Sequence, residues 1–352
     1  MRTTILLMVA LISAGCVKRY DGEPKLEFAD VPYVGNSGNA WPLKSVELPG
    51  AAERYKLSHA PKLSYVELNP EAKQTVLFLH GLGSYLKFWR SQLDETAAAG
   101  YRVIAIDQLG FGKSEKPAGF PYSTESFAEN VDELLTILGI QKAIVVGHSM
   151  GGQTALSTAI RYPSRVQALV LVSPAGFEYF SGREKQWFKN VYGRVLIRDA
   201  DEEAIWGAIR YQNFRHWDPS YEWLIEERVR LAKNAEFDSY AYAQVRTVEG
   251  LTKDDFVRES LPKIVAPTVI IYGTSDRLIP NGFMHGGFTK DIMEYGHEKI
   301  RGSELVALKD CGHTVQLDCS QAFNEAFFAF LKKVPAPVTE VEQPPAPAPT
   351  EP

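Results

Sequence analysis

A serine stands between glycines in Gly147-His148-Ser149-Met150-Gly151, directly after the apolar run Ala143–Val146 and directly before a run of helix formers. Glycine weakens strands and helices alike, so an ordinary joint between the two would not favour it here. The pattern G-x-S-x-G between a buried strand and a helix lifts a serine hydroxyl out of a sharp turn. The partial positive charge of the helix N-terminus then favours a developing anion. A serine that merely caps the helix is the alternative use of the same residues.

Three other positions carry chemistry, and each follows an apolar run. His80-Gly81-Leu82-Gly83 follows Thr75–Leu79. Its small residues leave backbone N–H groups open to a pocket, which makes Leu82 and Met150 the candidate donors for an oxyanion. Gly81, Gly83, Gly147 and Gly151 are the glycines such a site would need. Asp276 follows Thr268–Tyr272, where a carboxylate can orient an imidazole or simply close a turn. His313, behind Gly312, follows Leu305–Leu308; alone it reads as an ordinary loop histidine. Taken together, Ser149, Asp276, His313 and two N–H donors form the apparatus of nucleophilic acyl transfer.

The elements that must position these residues are strands alternating with helices. Apolar runs at Thr75–Leu79, Val103–Ile106, Ala143–Val146, Ala168–Val172, Thr268–Tyr272 and Leu305–Leu308 are short and nearly continuous in hydrophobicity. That is expected of parallel strands buried on both faces. Helical patterns lie at Phe88–Ala99, Thr124–Leu138, Met150–Tyr162 and Gln321–Leu331. The alternation predicts an α/β protein with a mostly parallel, doubly wound sheet, and ligands bind such sheets beyond the carboxyl ends of the strands. Tyr65–Leu68 is a candidate antiparallel edge strand. The gap between Val172 and Thr268 is too long for one crossover and too aromatic for a loop, with Trp187, Phe188, Trp206, Trp217 and Trp223. It predicts an inserted helical cap over residues 177–261, whose aromatic side chains pack together or line an apolar pocket.

On these motifs the chain resembles the α/β-hydrolase fold superfamily, of the serine esterase/lipase and meta-cleavage-product hydrolase types, from about Tyr65 to Leu331. The resemblance implies Ser149 as nucleophile, Asp276 as acid, His313 as base and the loop at His80–Gly83 as oxyanion loop. Asp107-Gln108-Leu109-Gly110-Phe111-Gly112-Lys113-Ser114 resembles the loop after the family's fourth strand. "CGHTVQLD" resembles the terminal motif of the carbon–carbon bond hydrolases. Two departures count against that subfamily: His148 stands where it usually has Asn, and Asp318 where Glu is common. The implied activity is hydrolysis of a carboxylic ester through an acyl-enzyme on a small-molecule acyl substrate. Carbon–carbon bond hydrolysis and an inactive hydrolase-fold binding protein of the cell envelope are the alternatives. Relatives that open epoxides or remove halogens use Asp as nucleophile, and Ser149 argues against both.

Composition excludes other classes. Of 352 residues 45% are hydrophobic and 23% charged, with net charge -5 and no basic stripe, which speaks against nucleic acid. Gly112-Lys113-Ser114 lacks the first glycine of a phosphate loop, and no metal-ligand spacing occurs, so neither a cofactor nor a metal is expected. Met1–Thr4, the apolar run Ile5–Ile12 and Ser13-Ala14-Gly15-Cys16 predict an export signal, too short to span a bilayer, which needs about 20 apolar residues. "LISAGC" resembles a bacterial lipoprotein signal, which implies residues 1–15 as signal peptide, lipidation at Cys16 and, from Val17, an outer-membrane address. Residues 16–61 read as tether and N-terminal extension, 62–176 and 262–334 as the two parts of the core. Residues 335–352 read as a disordered Pro-rich tail whose protein partner, if any, is unknown. Cys311 and Cys319 remain; two unpaired thiols packed as small hydrophobes are expected, with pairing in an oxidising compartment as the alternative.

Overall fold

The computed structural model describes residues 19–253 and 255–336; the export signal, Cys16 and the tail beyond residue 336 lie outside the described residues. The strands are β1 (Leu43–Glu47), β2 (Lys62–Leu68), β3 (Thr75–Leu79), β4 (Arg102–Ile106), β5 (Ala143–His148), β6 (Val166–Val172), β7 (Thr268–Gly273) and β8 (Glu304–Leu308). They form one sheet in the order β1-β2-β4-β3-β5-β6-β7-β8. From β4 to β8 all neighbours are parallel, while β2 pairs antiparallel with both β1 and β4. Every residue of β3, β5 and β7 is buried, which is why these strands read as unbroken apolar runs.

The helices are α1 (Pro49–Tyr55), α2 (Leu93–Ala98), α3 (Thr124–Ile137), α4 (Met150–Arg161), α5 (Gly182–Val191), α6 (Arg194–Arg198), α7 (Glu202–Trp206), α8 (Trp223–Leu231), α9 (Phe237–Thr252), α10 (Phe256–Ser260), α11 (Thr289–Lys299), α12 (Val315–Asp318) and α13 (Ser320–Leu331). Ser123 starts α3 with a capping box, accepting from Ser126 N–H at 3.1 Å. Pro163 stops α4, since it can neither donate nor follow a helical residue. Phe88–Ala99 is not one helix: a tight 3-10 turn at Leu86–Trp89 precedes α2. Asp107 accepts Leu86 N–H at 2.8 Å, which anchors the start of this turn beside the sheet.

The N-terminal extension differs most from expectation. β1 takes the sheet edge that Tyr65–Leu68 was expected to occupy, pairing Leu43 with Val66 through Glu47 with Lys62. Its residues are exposed or half-buried, so its sequence carries no apolar periodicity. From Arg19 onward the expected tether is a strap bound to the helices between β6 and β7. The Glu202 carboxylate accepts the N–H groups of Arg19, Tyr20 and Asp21 at 2.9, 2.9 and 3.1 Å. Lys233 Nζ donates to the carbonyls of Tyr20, Asp21 and Glu23. The Tyr20 ring packs with Ile205, Ile225 and Val229.

Helices α5 to α10 form a cap between β6 and β7. A buried ion pair ties it to the core: Lys87 Nζ donates to Glu227 Oε1 at 2.5 Å, and Tyr85 Oη donates to the other oxygen. Lys87 also lies 4.4 Å from the Trp223 ring centroid. Removing one partner of such a pair strands the other charge in the interior. Glu227→Ala is therefore expected to lose about 3–5 kcal/mol in urea unfolding, while Lys87→Met/Glu227→Leu recovers most of it.

Candidate active site

The joint between β5 and α4 explains its glycines. Ser149 has φ 52° and ψ -114°, a backbone conformation that costs a non-glycine residue about 1–3 kcal/mol. A Cβ on Gly147 would stand 2.2 Å from the Gly151 carbonyl oxygen, and one on Gly151 would stand 2.3 Å from that of Leu79. The strained turn is pinned from both sides: Ser149 N–H donates to Val172 C=O, and Ala175 N–H to Ser149 C=O, each at 3.0 Å. Met150 is the first residue of α4, where an N–H has no partner inside the helix.

The loop after β3 lies against this turn. Ser84 N–H donates to Gly81 C=O at 3.3 Å, closing a four-residue turn with Leu82 second and Gly83, at φ 71°, third. Only a residue that tolerates positive φ suits that third position. A Cβ on Gly81 would meet His148 Nδ1 at 2.7 Å. His80 holds the loop from below. Its Nε2 accepts Gln108 N–H at 3.0 Å, so Nδ1 carries the proton and donates to Gly81 C=O at 2.8 Å.

Asp276 and His313 come from the ends of β7 and β8. His313 Nδ1 lies 2.7 Å from Asp276 Oδ2, with the carboxylate fully buried. Asp276 Oδ1 accepts the N–H groups of Leu278 and Ile279 at 2.8 and 3.1 Å, which fixes the carboxylate's orientation. Gly273 lets the His313 loop approach β7, since a Cβ there would stand 2.2 Å from Cys311 O. Contrary to the expectation of free thiols, Cys311 and Cys319 form a disulfide, with their Cα atoms 6.0 Å apart. The short α12 bends the chain back, bringing together two cysteines that sequence alone leaves unoriented. Asp318 closes the same loop by accepting Gly312 N–H at 2.5 Å, and it reaches the cap through Arg215 and His216 N–H at 2.9 and 2.8 Å.

Ser149, His313, His148, Gly81, Leu82 and Gly83 all face one cavity of about 650 Å³ between sheet and cap. Asp276 stands behind His313, and Met150 is buried beneath Ser149. All the sequence-derived site positions in the described residues therefore meet at the carboxyl end of the sheet. Trp187 and Phe188 line the cavity, whereas Trp206 and Trp217 pack against each other in a tilted arrangement with centroids 5.5 Å apart. Sequence reading missed His80, His148, Asp318 and Arg228 as site residues. His148 lay inside the quoted motif, but only the fold places its ring 4.9 Å from that of His313.

This chain belongs to the alpha/beta hydrolase fold family, whose model matches residues 74–319. It is similar to a 2-hydroxy-6-oxononadienedioate/2-hydroxy-6-oxononatrienedioate hydrolase of Klebsiella pneumoniae, 30% identical over 75% of this chain and 88% of that enzyme. Epoxide hydrolase 4 of Mus musculus is 25% identical over 77% of each chain. Among solved structures, a probable hydrolytic enzyme from Pseudomonas aeruginosa PAO1 superposes with a TM-score of 0.71 at 26% identity, covering 85% of this chain and 98% of that one.

Burial sets the charge state around the cavity. It pushes the His80 imidazole down to about 4 and His148 well below its ordinary value. It also raises Asp107 to about 6, against the N–H groups of Leu86 and Lys113 and the hydroxyl of Tyr33, which donate to it. On acidification the unfolded imidazoles take up protons first, so the histidine contribution is full above the ordinary imidazole value and is lost as pH falls toward 4. Asp107 works oppositely: the folded state takes up its proton first, so acidification below about 6 relieves its burial. His80 and Asp107 thus oppose each other by roughly 3 kcal/mol each. Asp107→Asn removes the opposing member, and urea unfolding across this range should show stability falling more steeply with acid than in the wild type. An unchanged slope would refute the assignment.

Proposed function

We propose that the chain hydrolyses carboxylic esters through an acyl-enzyme on Ser149. One observation carries this reading: Ser149 is forced out of the sheet into the cavity that His313 lines, and Asp276 holds His313 by Nδ1, leaving Nε2 for the hydroxyl. His313 takes the proton of Ser149 Oγ as the oxygen attacks the acyl carbon. Asp276 stabilises the imidazolium. The N–H groups of Leu82 and Met150 receive the oxyanion, each lowering the barrier by about 2.7–4 kcal/mol. His313 then protonates the leaving alcohol, and water, activated by the same imidazole, releases the acid.

Arg228 narrows the substrate. It lines the cavity; its Nη2 donates to Ile197 C=O at 2.7 Å, while its buried Nη1 has no hydrogen-bond partner among the described residues. A buried unpartnered N–H of a cation favours an anionic ligand group, so the acyl chain is read as ending in a carboxylate. Carbon–carbon hydrolysis of a keto acid is the second reading that this residue favours. We further propose that the protein is a bacterial envelope protein with lipid on Cys16, as the sequence pattern of residues 1–17 supports.

A series of nitrophenyl esters with and without a distal acyl carboxylate tests the catalytic reading. Ser149→Ala should stay folded and lose about 10⁴-fold or more in kcat. Arg228→Met should lose the preference for the carboxylate-bearing members, and turnover retained by Ser149→Ala would exclude this nucleophile. For the anchor, Cys16→Ser is expected to move the protein from the membrane to the soluble fraction of cells, and unchanged fractionation would exclude it.

A further inference from the structure

The cap carries a helix, α5, whose outer face is exposed. None of the ten residues of α5 is fully buried. Arg183, Trp187 and Val191 succeed one another at four-residue spacing and so share one face. Trp187 and Val191 are 43% and 47% exposed, and α6 continues the apolar surface with Val195 and Leu196 at 61% and 58%. Phe283 joins them from the loop after β7, which His285 ties to α5 through Glu184. Trp187, Leu196 and Phe283 also line the cavity, so this surface is its rim. Contiguous exposed apolar surface of this kind marks an interaction site.

Its charge identifies the occupant. Between Gly182 and Arg198 there are five cations, Arg183, Lys185, Lys189, Arg194 and Arg198, against the single anion Glu184, in a chain whose net charge is -5. Arg183 and Lys189 have no ion-pair partner among the described residues. Lys185, Arg194 and Arg198 are matched by Asp255, Asp238 and Asp199. A short helix with exposed Trp and Val and unmatched cations fits an anionic lipid surface, the aromatic and aliphatic groups entering the acyl boundary and the cations meeting headgroup phosphates. The chain's own path agrees. The strap reaches the cap at Arg19, bound to Glu202 of α7, and Cys16 stands only three residues earlier, a reach of at most about 11 Å.

We propose that α5, α6 and the loop around Phe283 form a docking face for an anionic phospholipid bilayer, which brings the cavity mouth to the membrane. The proposal concerns binding and goes beyond the catalytic reading; it holds or fails whatever bond the site cleaves.

The test uses the full-length chain with Cys16→Ser, so that no lipid anchor contributes, in flotation with phosphatidylcholine vesicles with and without phosphatidylglycerol. The expected result is binding to the phosphatidylglycerol vesicles that weakens with salt. Arg183→Glu/Lys189→Glu should weaken it by roughly thirty-fold or more, and Val191→Ser/Val195→Ser by about tenfold or more. None of these four residues lines the cavity, so turnover of a soluble ester should be unchanged in both variants, which also shows that they are folded. No binding by the parent chain, or equal binding by both variants, overturns the proposal. So does a protein dimer that dissociates in Val191→Ser/Val195→Ser without any vesicle binding, which would assign the face to a second copy of the chain.

Discussion

The fold depends on how closely four chain segments approach in two pairs at the carboxyl end of the sheet. Gly151 rests against the carbonyl of Leu79, Gly81 against the His148 ring, and Gly273 against the carbonyls of Cys311 and Gly312. At each contact an added Cβ would sit under 3 Å from its neighbour. Close packing leaves no slack to absorb such an atom. The order β3-β5-β6-β7-β8 then acts as a ruler, setting the turns that carry Leu82 and Ser149 at one adjacent pair of strand ends and those that carry Asp276 and His313 at another, with β6 between the pairs. The strained φ of Ser149 is a consequence of this approach, held by hydrogen bonds to Val172 and Ala175.

The cap is coupled to that end of the sheet at several points. Asp318 takes N–H groups from Gly312 on the His313 loop and from Arg215 and His216 in the cap. Thr314 N–H reaches Asn213 C=O at 3.0 Å. A displacement of this part of the cap would therefore act on the loop that holds His313. The strap adds a further link, because Glu202 binds its N–H groups while Ala204 and Ile205 of the same helix line the cavity. The lining of the cavity and the position of the imidazole are in this way mechanically connected.

Sequence made the central sheet legible because strands buried on both faces leave continuous apolar runs, and the G-x-S-x-G joint because its glycines have few other reasons to be there. β1 was invisible for the converse reason: an exposed edge strand such as Leu-Lys-Ser-Val-Glu buries no face and imprints no period. The strap was hidden in part because Glu202 and Lys233 hold it by backbone N–H and carbonyl groups, which leave no trace in residue type, while its buried Tyr20 ring is a single apolar anchor that imprints no period. The disulfide escaped because pairing depends on the bend at α12, which only the fold supplies. The cap aromatics divided between both readings, since helical spacing does not say which side of a cap faces the cavity.

Three histidines crowd the candidate site, and their charges cannot be independent. His148 Nε2 lies 3.2 Å from the His313 carbonyl oxygen, and its ring is 4.9 Å from that of His313. A proton on His148 would disfavour one on His313, which the proposed reaction needs to form. Burial prevents this, holding His148 and His80 neutral near pH 7. Asp276 contacts His313 instead, at 2.7 Å from its Nδ1. The apolar packing around the other two rings, such as Trp89 edge-on to His148 and Phe111 edge-on to His80, thus acts on the site's electrostatics as well as on its stability.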